Sequence, residues 1–286
     1  MSGRLVLQGG CVLSLDPRVG DPAQADVLIE GDRIAAIGAG LHAAGGDIVD
    51  ARGMLVLPGF VDTHRHLWEA LLHNVGADWS LLAYLQAIYF GTLGARLRPA
   101  DVYAGNLLGA LEALDAGITT LLDWSMINSP EHADEAVRGL ADAGIRAVFA
   151  CGLSGEGDYW NRDSALTHPQ DCRRVKARWF SSTDQLLTMG LAIRGPEFSR
   201  WDAAVADIRL ARELDVLCSM HMGFGPWGAA DRSVERLHRA GLLGPDLNFV
   251  HGNAMGEDEF RMLGDSGASL SVTPEVELMM GHGYPA

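Results

Sequence analysis

The chain has 286 residues, 48% hydrophobic and 21% charged, a globular composition that excludes a mainly disordered polymer. Asp and Glu number 37 against 22 Lys and Arg, giving a formal net charge of −15, which argues against phosphate-tracking nucleic-acid binding and anionic membrane surfaces. Cysteines stand only at 11, 151, 172 and 218 without a CxxC pair, no apolar run reaches the roughly 18 residues of a membrane span, and no signal-peptide core precedes Gly9-Gly10, so a soluble, cytoplasmic protein is expected.

The first 57 residues read as short strands separated by glycine turns, without helical periodicity. Candidate strands are Leu5–Leu7, Cys11–Leu15, Asp26–Ile29, Arg33–Ile37 and Ile48–Val49, with Gly31-Asp32 as a hairpin turn. Gly38-Ala39-Gly40-Leu41-His42-Ala43 fits GxGxxA, but no amphipathic helix follows, so it reads as a turn of this β module. From Met54 onward, apolar runs at Leu55–Thr63, Ile118–Trp124, Ile145–Cys151, Leu191–Ile193, Val216–Met220, Leu247–Val250 and Ser269–Val272 predict strands. Helical patterns at Pro99–Ala116, Pro130–Ala143, Arg200–Leu214, Asp231–Ala240 and Glu257–Asp265 lie between them. That alternation predicts parallel βα units. Seven strands suit a TIM-like (β/α)8 barrel that is incomplete, with domains at 1–57 and 58–286.

The chemistry concentrates in histidines. His64 and His66 close the first apolar run, and their spacing of two puts both side chains on one face of an extended strand. His221 and His251 each end a further predicted parallel strand, so all four converge at one mouth. Such a set can hold a divalent metal, zinc or iron, at about 2.0–2.1 Å. His42, His73, His132, His168 and His238 read as surface residues, while His282, beyond the last strand, is placed ambiguously near the mouth. No Walker loop, HExxH or GxSxG occurs.

With GDRIAAIGAG…DIVDARGMLVLPGFVDTHRH and SVTPEVELMMGHG, these histidines make the chain resemble the amidohydrolase superfamily, in its cytosine-deaminase-like and triazine-hydrolase branch. The resemblance implies that residues 1–57 are the N-terminal half of a β-sandwich module, and that His64, His66, His221 and His251 hold one Zn²⁺ or Fe²⁺. It implies hydrolysis of a non-peptide C–N bond, by deamination or a related reaction of a nitrogen-rich ring through a metal-activated water. The partner is then a small molecule, with neither nucleic acid nor membrane involved, and a homodimer stays open.

The branch's usual glutamate three residues beyond the strand-five histidine is replaced by Phe224, and no strand eight with its aspartate follows. The chain therefore reads as C-terminally truncated, and poor solubility or self-association is expected. Candidate carboxylates for the missing proton carriers are Glu69 and Glu275. Asp123, at the end of its strand, reads as a carrier or a loop anchor. Trp68, Trp124, Phe224 and Trp227 are candidate pocket walls for a flat ring. Two alternatives remain: a catalytically incompetent metal-binding chain, or a metal-dependent hydrolase of cyclic or acyclic amides.

Overall fold

The computed structural model describes residues 3–42, 45–89, 93–127, 129–153 and 158–286. The chain divides into two units, Met1–Phe60 and Val61–Ala286.

The first unit is a mixed sheet built around β1 (Arg4–Val12), with β2 (Ala25–Glu30), β3 (Arg33–Gly38), β4 (Asp47–Asp50) and β5 (Leu55–Val56). β2 pairs antiparallel with both β1 and β3, whereas β4 and β5 run parallel to β1. Its small core is Val12, Ala25 and Val27, backed by Leu7, Ile29, Ile37 and Val56. Gly9-Gly10, expected as a turn, is instead a bulge within one continuous strand. The register against β2 shifts there, Gly9 takes φ +75°, and its N–H donates to Asp26 Oδ1 at 2.8 Å. The expected run Leu55–Thr63 is likewise two strands. Pro58 has no N–H for a sheet ladder, so β5 ends before it and β6 (Phe60–Arg65) starts after it.

The second unit is a nearly closed parallel barrel of seven strands in the order β12-β11-β10-β9-β8-β7-β6. After β6 these are β7 (Ile118–Ile127), β8 (Arg146–Leu153), β9 (Leu187–Ile193), β10 (Leu217–Met222), β11 (Leu247–His251) and β12 (Ser269–Ser271). Successive pairs from β7 to β12 are parallel. All five residues of β11 are buried, as are the last five of β9, because the strands are covered on both faces. Ser271 of β12 donates its hydroxyl to the Thr63 carbonyl of β6 at 3.2 Å, linking the two ends of the strand order.

The helical patterns appear as α2 (Pro99–Asp115), α3 (Pro130–Ala143), α5 (Trp201–Glu213), α7 (Ser233–Arg239) and α8 (Glu257–Ser266). Asp231–Ala240, expected as one helix, breaks at Arg232, whose φ of +47° ends α6 (Gly225–Asp231) before α7 begins. α1 (Leu81–Tyr84), α4 (Cys172–Trp179) and α9 (Pro274–Met280) were not expected, being short and without a sustained apolar period. Two glycines on one face of α2 let it dock on the turn Leu67–Leu72 that follows His66. A Cβ at Gly105 would stand 2.6 Å from the Trp68 carbonyl oxygen, and one at Gly109 would stand 2.8 Å from Leu67 Cδ2. Among the described residues no helix is long and apolar enough to cross a membrane.

Candidate metal centre and pocket

Parallel strands present their C-terminal ends at one mouth, and the four histidines gather there. His64 lies on β6, His66 one residue past its end, His221 on β10, and His251 is the last residue of β11. Ring centroids of His64 lie 4.8 Å from His66, 4.7 Å from His221 and 6.0 Å from His251. One ring nitrogen each from His64, His221 and His251 falls within 4.8 Å of the others. His66 stands beside that trio, stacked on His221 at 5.5 Å.

Their electrostatics suit a cation. Burial, reinforced by neighbouring imidazoles, holds His64 and His221 well below the ordinary histidine value. Burial pushes His66 down to about 4 and lowers His251, which Glu277 partly offsets. All four rings are then neutral at pH 7, with lone pairs free to ligate. His66 Nδ1 must carry a proton because it donates to the Trp124 carbonyl at 2.9 Å, which leaves Nε2 as the ligating atom. His64 and His221 turn Nε2 atoms toward each other at 3.1 Å, close to the roughly 3.3 Å separating two ligands on a tetrahedral zinc. His64 Nδ1 is buried without a hydrogen-bond partner among the described residues. The donor set therefore fits a divalent ion.

Beside the histidines opens a cavity of about 370 Å³ with aromatic walls: Tyr84, Tyr89, Trp124, Trp160, Phe198 and Phe224. Trp124 also packs its ring 4.3 Å from His221. Of the four expected wall residues, Trp124 and Phe224 line the cavity. Trp68 lies behind Tyr89 at 5.8 Å, and Trp227 lies behind Phe224 at 6.3 Å. Arg65 lines it too, ion-paired with Asp62 at 2.7 Å.

Glu69 lines the cavity, and its Oε1 accepts hydrogen bonds from Tyr84 at 2.6 Å and Tyr89 at 2.8 Å. Burial pushes its carboxyl up to about 7, against the pull of those hydroxyls. Glu275 is exposed on α9 and is absent from the cavity lining, whereas Glu277, two residues on, is fully buried against His251. Asp123 is an anchor outside the cavity. Buried completely, it accepts the Leu67 N–H at 3.2 Å and the Asn106 amide at 2.8 Å, fixing the chain immediately after His66. Burial raises its carboxyl to about 7.

Other histidines divide. His73 and His238 are exposed as expected, but His132 and His168 are buried. His132 fills a pocket between the Leu97 carbonyl and Ser129, a contact of high sequence separation. His282 does reach the mouth, its ring 4.5 Å from His251 and stacked on Phe224 at 5.1 Å. Tyr84, Tyr89, Trp160, Phe198 and Glu277 were missed; none carries a local motif.

The Amidohydrolase family model matches residues 55–279. The 5-methylthioadenosine/S-adenosylhomocysteine deaminase of Symbiobacterium thermophilum is 30% identical over 98% of this chain and 65% of its own length. The 5'-deoxyadenosine deaminase of Methanosarcina barkeri is 26% identical over 93% of this chain and 61% of its own. The chain thus spans under two thirds of the length of these curated relatives. Among solved structures, zinc-complexed atrazine chlorohydrolase from Arthrobacter aurescens superposes with a TM-score of 0.82 at 21% identity, over 98% of this chain and 68% of that one. An adenosine deaminase from Xanthomonas campestris with bound zinc gives 0.74 at 22% identity, over 98% and 65%. With a barrel that carries its histidines at the strand ends and a family match over most of its length, this chain belongs to the amidohydrolase family.

Proposed function

We propose that the chain carries the metal centre of a zinc-dependent hydrolase that deaminates, or otherwise hydrolyses a C–N bond of, a small nitrogen-rich ring. The observation that carries this reading is the convergence of His64, His66, His221 and His251 beside one aromatic cavity. The deaminases among its relatives support the reaction type. Zinc held by the four imidazoles supplies Lewis-acid activation of water near neutral pH.

The chain's own residues do the rest. Trp124, Phe198 and Phe224 hold a flat ring by its faces and exclude water from it. Glu69, with a carboxyl near 7, holds or gives up a proton at working pH and is the candidate acid–base group. Arg65 is neutralised by Asp62, so the substrate is uncharged or cationic rather than anionic. The four free cysteines accord with the reducing cytoplasm. A homodimer is the assembly to test by light scattering.

Zinc-loaded protein assayed for ammonia release against aminopyrimidines, amino-triazines and adenine nucleosides tests the reading, and turnover of at least one class is expected. A second reading, a metal-binding chain without turnover, is favoured by one feature: Phe224 faces the histidines, its ring 5.1 Å from His251. Soluble, zinc-loaded protein that turns over no member of the panel supports this second reading.

A further inference from the structure

His251 has a backbone conformation that needs outside support. Its φ is +84°, a region that side-chain-bearing residues rarely adopt, and the following Gly252 is also left-handed at +72°. Such strain persists only where surrounding contacts hold it. Glu277 makes those contacts. It is completely buried although its helix neighbours Glu275, Val276 and Leu278 are exposed. Its Oε1 accepts the His251 Nδ1–H at 3.1 Å and the Thr273 N–H at 2.8 Å, while Oε2 accepts the Asn253 amide at 2.9 Å. Asn253 is itself anchored to the Tyr284 carbonyl at 2.8 Å, and the His282 N–H donates to the Glu277 carbonyl at 2.9 Å.

We propose that Glu277 is the positioning residue of the metal centre: from α9, which follows β12, it locks the strained His251 in the rotamer and tautomer that presents Nε2 to the cation. The proposal rests on the metal reading above. A carboxylate behind a ligating histidine fixes which nitrogen carries the proton and raises the basicity of the other. Glu277 is not among the residues that line the cavity, and the candidate ligand it contacts is His251.

The test uses the full chain, stripped of metal, with zinc affinity read by competition against a chromophoric chelator and cobalt(II) spectra as a geometric probe. Glu277→Gln keeps the shape and an acceptor oxygen but loses the charge. It is expected to melt near wild type without metal, weaken zinc binding by about 10- to 100-fold, and shift the cobalt bands. Glu277→Ala is expected to lose more. In a His251→Ala background, Glu277→Gln is expected to add nothing. Zinc affinity and cobalt spectra unchanged in Glu277→Gln overturn the proposal, as does an equal loss with and without His251. Wild-type protein that binds no zinc overturns the metal reading, and this proposal with it.

Discussion

Glu69→Gln probes the cavity's chemistry through stability, independently of any substrate. The Glu69 carboxyl moves from 4.5 to about 7 on folding, chiefly because burial penalises its charge. A carboxyl raised in this way favours the folded state while protonated, and that contribution fades as pH climbs from the unfolded value through the folded one. Worked through linkage at 1.36 kcal/mol per unit, the loss between about pH 5 and pH 8 comes to about 2.5 kcal/mol, and to about 2 after allowing for the group's partial solvent access. Glutamine retains an oxygen for the Tyr84 and Tyr89 hydroxyls but does not titrate. Denaturant melts of metal-free protein across that range should therefore show the wild type falling by about 2 kcal/mol relative to Glu69→Gln. Other raised carboxyls, such as Asp123, titrate in both proteins and cancel in the difference. Parallel stability–pH profiles for the two proteins would show that the Glu69 carboxyl is not raised by folding.

Asp123→Ala leaves the Leu67 N–H and the Asn106 amide without their buried acceptor and should cost about 1–3 kcal/mol in chemical denaturation. Gly105→Val drives a side chain against the Trp68 backbone and should cost at least about 1–3 kcal/mol, read as a lower melting temperature. Gly264→Ala, in open space on α8, should instead stabilise by about 0.5–1 kcal/mol.

The barrel strands were legible as apolar runs, most of them separated by a 3.6-period helix, and the four histidines because they close such runs. Local reading failed where long-range contacts decide. Pro58 splits one apolar run between two units, and only pairing partners reveal it. Glu275 and Glu277 have the same chemistry in sequence, yet the rotation of a seven-residue helix exposes one and buries the other against His251. His132 shares the buried face of α3 with Ala133, Ala136 and Leu140, so the helical period marks it, whereas His168 lies outside any helix or strand and has no such stripe. Tyr84 and Tyr89 meet Glu69 only because the segment after His66 folds back over the mouth. The glycine pair Gly9-Gly10 shows a further limit, since left-handed glycine serves a bulge as readily as a turn.

On the proposed function, four strand-end histidines hold one metal ion. Chelator-stripped protein titrated with zinc, then desalted and assayed for metal by mass spectrometry, tests it most directly. Wild-type protein is expected to keep about one zinc per chain, and the His64→Ala, His251→Ala double variant to lose it while the fold's melting transition survives. Undiminished zinc in a folded double variant would contradict it.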